Sequence, residues 1–154
     1  GAVQVQRLGE RFTIDVDLHS SAPPATAFAV LTDFDHMVGV VPNLTESRVT
    51  ERQGHRWRVL QRGVARWGIF TLNFASEREL TLDPPREIRA HTVSGNVRAM
   101  DSVMRLEPEG AGTRLHYHAE VEPGAWFPPG IGPSMVQHET AEQFSALLAE
   151  MTRR

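Results

Sequence analysis

LTESRVTERQGHRWRVLQRGVARWGIFTLNFASERELTLDPPREIRAHTVSGNVRAMDSVMRLEPEGAGTRLHYHAEVE, residues Leu44 to Glu122, is strand after strand. Apolar and polar side chains alternate, and Gln53-Gly54, Asp83-Pro84-Pro85, Gly95-Asn96 and Gly110-Ala111-Gly112 punctuate the runs. The breaks predict six strands: Thr45 to Glu51, Arg56 to Gly63, Ile69 to Glu79, Glu87 to Ser94, Ala99 to Glu107 and Arg114 to Glu122. Strands this closely spaced favour an antiparallel meander, because parallel crossovers need about a dozen or more connecting residues. The period then changes. From Pro133 to Arg154 the residues Val136, Thr140, Phe144, Leu147, Leu148 and Met151 follow helical spacing. One amphipathic helix beside a run of strands must bury its stripe on one sheet face, and a curved sheet gripping it can enclose a cavity.

Upstream, Val3 to Leu8 and Phe12 to Leu18 alternate around Gly9-Glu10, which predicts an additional N-terminal hairpin. Ser20-Ser21-Ala22-Pro23-Pro24 ends it and supplies cap and first-turn residues for a helix carrying Ala27, Phe28, Val30 and Leu31. A second short helical piece is expected over Asp35 to Val40, closed by Pro42-Asn43, with Asp33-Phe34-Asp35-His36 ending one helix and capping the next. No repeat, low-complexity tract or linker divides the 154 residues, so one domain is expected.

Composition excludes several chemistries. There is no cysteine, hence no disulfide, thiolate nucleophile or Cys-based metal site. There is no lysine either: all sixteen basic residues are arginine, so a Schiff base, a lysine general base and a P-loop are ruled out. The formal charge of -3 gives no global attraction to nucleic acid or anionic membranes. No stretch approaches the roughly 18 apolar residues of a membrane span. The first residue is Gly1 and not Met, so a start removed by design or processing is expected, and a cleaved export signal fits as well as none.

Ala22-Pro23, Ala27-Phe28, Leu31-Thr32-Asp33-Phe34, Pro42-Asn43, Ser47-Arg48-Val49, Gly112-Thr113-Arg114-Leu115-His116-Tyr117 and Pro128-Pro129 occur in an order and spacing that resembles the START-like, or SRPBCC helix-grip, superfamily. The match is closest to its bacterial polyketide cyclase/dehydrase-like and coenzyme Q-binding protein-like branch. The resemblance implies an α+β helix-grip fold: a curved antiparallel sheet wrapped around a long C-terminal helix, with residues 1–154 as a single START-like ligand-binding domain. Relatives with a similar extra hairpin look exported, which implies a periplasmic location, with the cytoplasm as the alternative.

Strand phase predicts the face that meets the helix. It carries Val49, Trp57, Val59 and Gln61, then Phe70, Leu72 and Phe74, then Ile88, Ala90 and Thr92. Met100, Ser102 and Met104 follow on the next strand, and Leu115, Tyr117 and Ala119 on the last, with Phe144 and Leu148 opposite on the helix. These residues either pack as a core or line a cavity, and Gln61, Thr92, Ser102 and Tyr117 favour the second because a dry core would leave them seeking partners. An empty cavity of about 300 Å³ would cost on the order of 7 kcal/mol, so side chains, water or an apolar ligand must occupy the space. The predicted inner face holds no Asp, Glu or His, which weakens an enzymatic reading; a register shifted by one residue would bring His91, Asp101, His116 and His118 inward.

Three other features have two readings each. His116 and His118 share a strand face, as half of a metal site or as solvated polar residues. Arg48, Arg52, Arg56, Arg58, Arg62 and Arg66 offer a basic stripe for RNA, a ribosome or an acidic protein, unless Glu46, Glu51, Glu77 and Glu79 pair with it across the sheet. Arg66-Trp67-Gly68 and Trp126-Phe127-Pro128-Pro129-Gly130-Ile131 either fold back on the body or form a cavity mouth, membrane tip or contact patch, with Trp126 and Phe127 as the gate.

The expectation is binding or carriage of an apolar small molecule such as a lipid, isoprenoid quinone or polyketide-like compound. Trp57, Val59, Gln61, Phe70, Leu72, Phe74, Ala90, Thr92, Met100, Ser102, Met104, Tyr117, Ala119, Trp126, Phe127, Phe144 and Leu148 would form the site. No cofactor, metal or DNA partner is implied. A cyclase/dehydratase-type enzyme in the same pocket and an interaction module using the arginine face are the alternatives.

Overall fold

The computed structural model describes residues 2–124 and 132–154. Eight strands and two helices follow in the order β1 Ala2–Leu8, β2 Arg11–Ser20, α1 Pro24–Thr32, β3 Leu44–Gln53, β4 Arg56–Trp67, β5 Phe70–Asp83, β6 Glu87–Gly95, β7 Ala99–Glu109, β8 Gly112–Glu122 and α2 Pro133–Arg153, with one 3-10 turn at Phe34–His36. All eight strands join one antiparallel sheet in the order β1-β2-β8-β7-β6-β5-β4-β3. The meander from β3 to β8 and the added β1–β2 hairpin are as the sequence predicts. The hairpin joins the meander through β2 and β8, with Phe12 opposite Val121 and Ser20 opposite Thr113.

Two strands run further than their sequence breaks. Gly63 reads as the end of a strand, yet β4 continues to Trp67. The glycine is there for close approach: a Cβ at Gly63 would lie 2.2 Å from the Asn43 carbonyl oxygen and 2.3 Å from the Phe74 ring. β5 likewise runs on from Glu79 to Asp83, and Leu80 and Leu82 are buried on the phase of Leu72.

The helical crossover from β2 to β3 differs from expectation in its caps. α1 begins after Pro23 with no side-chain cap, while Ser20 Oγ accepts a hydrogen bond from the Ala22 N–H at 3.1 Å. The expected helical piece over Asp35 to Val40 is shortened to the 3-10 turn Phe34–His36. Its acidic residues are engaged elsewhere: Asp35 accepts from the Val49 N–H at 2.8 Å, and Asp33 bonds the His36 ring and Arg154.

α2 lies on the concave face with Met135, Thr140, Phe144, Leu147 and Met151 buried, and Val136 and Leu148 partly so. The main core combines this stripe with Ile14 and Val16 of β2, Ala27, Phe28, Val30 and Leu31 of α1, and Val59, Leu80, Ala90, Met104, Leu115 and Ala119 of the sheet. Two polar ties fix the helix at its ends. Asn43, in a left-handed conformation (φ 71°), donates to Glu139 at 2.9 Å. At the other end Arg154 bridges Glu150 at 2.9 Å and Asp33 at 2.8 Å, joining α2 to the end of α1.

The outer sheet face is charge-balanced. Arg58 lies 3.8 Å from Glu77 and 3.5 Å from Glu79, Arg62 lies 3.6 Å from Glu46, Arg48 lies 3.0 Å from Glu46, and Arg56 lies 3.9 Å from Glu79. Glu51 accepts from Gln53 instead of an arginine. The histidines read from the sequence also face outward: His91 Nδ1 sits 2.6 Å from Asp101, His118 Nδ1 2.7 Å from Asp15, and His116 Nδ1 3.7 Å from Asp17. Among the described residues no group of three or more His, Asp or Glu forms a metal cluster.

The tie between α1 and α2 makes the fold acid-sensitive. The Asp33 carboxyl is held below its ordinary range by its hydrogen bond to His36 and then by that to Arg154. A carboxyl depressed in this way stabilises the fold above its unfolded pKa of about 3.9, and that stabilisation is lost as pH falls through the lower folded value. In urea unfolding, Asp33→Asn is therefore expected to be less stable than the parent near neutral pH and to lose less stability below about pH 4. Parallel pH profiles for the two proteins would contradict this.

Candidate functional site

Where α2 crosses the sheet the packing is incomplete, leaving a cavity of about 130 Å³ between the helix and strands β2, β4, β5, β6, β7 and β8. Phase brings the wall together. Gln61 on β4, Ala90 on β6, Met100, Ser102 and Met104 on β7, and Tyr117 on β8 all point inward and meet Phe144 from α2. Register explains their adjacency, since Ala90 stands opposite Ser102 and Met104 opposite Tyr117. Leu31 of α1, Phe34 and Met37 of the crossover, and Thr140, Gln143 and Leu147 of α2 complete the lining together with Ile14, Leu80 and Ile88.

The feature that strand reading missed is Arg78. It lies on β5 in the phase of Leu72, Leu80 and Leu82 and lines the cavity with Gln61 and Tyr117. The phase that placed Phe70, Leu72 and Phe74 inward reaches Arg78 two steps later. Opposite the Glu77–Arg78 step the extra residue of a bulge, Val93, lies on β6, so the phase of β5 itself is unbroken. Arg78 Nη2 donates to Gln61 Oε1 at 2.8 Å, and its guanidinium lies 5.9 Å from the Phe34 ring centre. Gln61 is fixed in turn by donating to Ser47 Oγ at 3.1 Å. No carboxylate among the described residues pairs with Arg78.

Burial lowers the Arg78 pKa from its usual value, but an arginine starts so high that it remains a cation near neutral pH. Burial also raises the Tyr117 pKa, partly opposed by the Arg78 charge and a hydrogen bond with Ser102, so its phenol stays protonated. Tyr117 stacks at a tilt on Phe144 with ring centres 5.1 Å apart. The site thus combines an apolar wall with one cation and a hydroxyl pair on one side. Its described lining includes no Asp, Glu or His. It is equipped to hold an electron-rich oxygen, and no side chain of the lining is an evident general base.

The remaining sequence-predicted residues lie elsewhere. Val59 and Ala119 are fully buried in the core. Trp57 packs edge-on to Phe34 at 6.5 Å and donates its indole N–H to the Gly54 carbonyl at 3.1 Å. Leu72 belongs to a separate small cluster with Ala65 and Met135, and Phe74 covers the bare Cα of Gly63. Thr92 is the register partner of Arg78, outside the cavity lining, and Leu148 is partly buried against the main core. Phe70 is 38% exposed at the β4–β5 tip. In each case strand phase or helical spacing gives the face, while position along the element decides whether the residue reaches the cavity. Trp126 and Phe127 lie outside the described residues.

The fold is shared with solved structures. An aromatase/cyclase, Zhui, from Streptomyces sp. R1128 superposes with a TM-score of 0.74 at 19% identity, covering 94% of this chain and 95% of that one. A STAR-related lipid transfer protein fragment from Xanthomonas axonopodis gives 0.80 at 13% identity, covering 97% and 92%. A protein from Thermus thermophilus gives 0.77 at 17% identity, covering 92% and 97%. No curated protein matches the chain by sequence. At these identities the structural likeness speaks for the fold, the START-like helix grip. A family profile described as polyketide cyclase / dehydrase and lipid transport matches residues 20–148, most of the chain, and the protein is therefore a member of that family.

Proposed function

We infer that this chain acts as one ligand-binding domain that holds an apolar small molecule carrying a carboxylate, enolate or polarised carbonyl oxygen, with that oxygen seated on Arg78. The observation that carries the reading is a guanidinium, without a carboxylate partner among the described residues, lining a mostly apolar cavity. Keeping an unpaired cation away from water is unfavourable, and an anionic or electron-rich ligand removes the penalty while gaining a charge-assisted hydrogen bond. Tyr117 and Ser102 supply further polar contacts, and burial of the ligand's apolar part supplies most of the affinity at about 25 cal/mol per Å². The relatives named as an aromatase/cyclase and a lipid transfer protein support this ligand class.

The size of the cavity adds a condition. At about 130 Å³ it accommodates a ring or a short chain segment. A longer ligand requires the wall to yield, and Met37, Met100 and Met104, three of the five methionines in the chain, stand where it must. Unbranched thioether side chains change rotamer with little strain, so the cavity widens without unfolding the sheet. Cyclase or dehydratase chemistry would additionally need a proton acceptor from the substrate or from water.

Ala90→Trp places an indole in the cavity and is expected to abolish uptake of a fluorescent fatty acid while the circular dichroism spectrum stays that of the parent. Undiminished uptake by the folded variant would exclude this cavity. Arg78→Met tests the anchor. It should leave ligand-free stability close to that of the parent, since a half-buried cation with no carboxylate among the described residues is removed together with its hydrogen bond to Gln61. It should also weaken binding of a fatty acid roughly tenfold to a hundredfold, while binding of the alcohol of equal chain length changes little. Equal losses for acid and alcohol would argue against a charge-specific seat.

A further inference from the structure

The β4–β5 ribbon projects beyond the sheet. β5 first meets β6 at Ser76, opposite Gly95, so Phe70 to Asn73 pair with β4 alone. At its tip, Gly68 turns the chain with φ 60°, Ile69 is 94% exposed and Phe70 is 38% exposed. From Gly63 to Ser76 the one charged residue is Arg66, in a chain whose charged fraction is 23%. Arg66 is exposed and has no carboxylate partner among the described residues. Apart from Arg7, Arg66 and Arg78, every arginine stands within 4.0 Å of a carboxylate. Arg78 lines the cavity, so among the described residues Arg7 and Arg66 are the exposed arginines without a carboxylate, Arg7 donating to the Gly9 carbonyl at 3.1 Å and lying over the Phe12 ring.

These two share one rim. Strands alternate in direction through the sheet order, so β1 and β4 run the same way and their turns lie at the same end. The first α2 turns lie there too, with Met135 packed on Ala65 and Leu72. The β1–β2 turn repeats the pattern in weaker form: Leu8 is 63% exposed beside Arg7, with Glu10 in the turn.

We propose that this rim, led by Arg66, Ile69 and Phe70, docks on the surface of an anionic lipid bilayer. Two exposed apolar side chains at a hairpin tip offer far less than the roughly 800 Å² that a folded partner needs on each side of a stable interface. It suits a fluid boundary, where Ile69 and Phe70 enter the acyl region and Arg66 stays among the phosphates, which its planar fork binds. Docking goes beyond the ligand reading and does not depend on it.

Flotation with vesicles of phosphatidylcholine, with and without one-third phosphatidylglycerol, tests the proposal on the full chain. The parent is expected to float with the anionic vesicles and less with the neutral ones. Ile69→Asp should weaken association with anionic vesicles at least about tenfold, the effect of withdrawing one buried isoleucine. Arg66→Gln should weaken it about fivefold on anionic vesicles and little on neutral ones. Uptake of a detergent-dispersed fatty acid should be unchanged in both variants, which separates failure of docking from failure of the ligand site. A parent that does not float, or an Ile69→Asp variant that floats equally well, overturns the proposal. So does self-association without vesicles that Ile69→Asp abolishes, which would make the tip a contact between copies of this chain.

Discussion

The apolar stripe of α2 can be covered only from the concave side of the sheet, and the rest of the architecture follows from that constraint. A flat sheet would touch a helix along a narrow line; the eight-stranded curve brings residues from β2 through β8 to the same helix. The crossover with α1 closes the grip, and its two polar ties hold α2 in place through Asn43–Glu139 and Asp33–Arg154–Glu150. The grip leaves a cavity where Arg78, Gln61, Ser102 and Tyr117 enter the inner face.

That exception gives the fold its chemistry. A dry void of about 130 Å³ would cost on the order of 3 kcal/mol, but a wall with a guanidinium, two amides and three hydroxyls suits water or a polar ligand group. The guanidinium is the asymmetric element. Every other described wall residue is neutral and indifferent to the sign of a ligand's charge, whereas on the proposed function Arg78 would discriminate an oxygen-rich head group from a hydrocarbon of the same size. On the proposed function the methionines would let the same wall admit ligands of different lengths, and selectivity would rest on the head group more than on shape.

Much of this was legible in the sequence. Alternation fixed the strands and their inward phase, and Gln61, Ala90, Met100, Ser102, Met104, Tyr117 and Phe144 meet at the cavity because phase and register are regular there. Arg78 was hidden by its own chemistry, since a charged residue between Glu77 and Glu79 invites an outward reading. Extending the Phe70-Leu72-Phe74 phase two more steps would have found it, because β5 pairs with β4 in unbroken register. Phe34 and Met37 were illegible for a different reason: they reach the wall through an irregular crossover with no period to extend. The arginine face shows the converse, because its apparent basicity depended on cross-strand partners that only register supplies. Gly63 was read as an end when it marks a close approach of Asn43 and Phe74.

Native mass spectrometry of the gently purified protein, with solvent extraction of what accompanies it, tests most directly whether the cavity is a ligand site. The account predicts a discrete adduct with an apolar body and an acidic or carbonyl-bearing head, retained by the parent and lost from Arg78→Met. A bare mass for the parent, still bare after incubation with fatty acids, quinones and polyketide-like compounds, would contradict it.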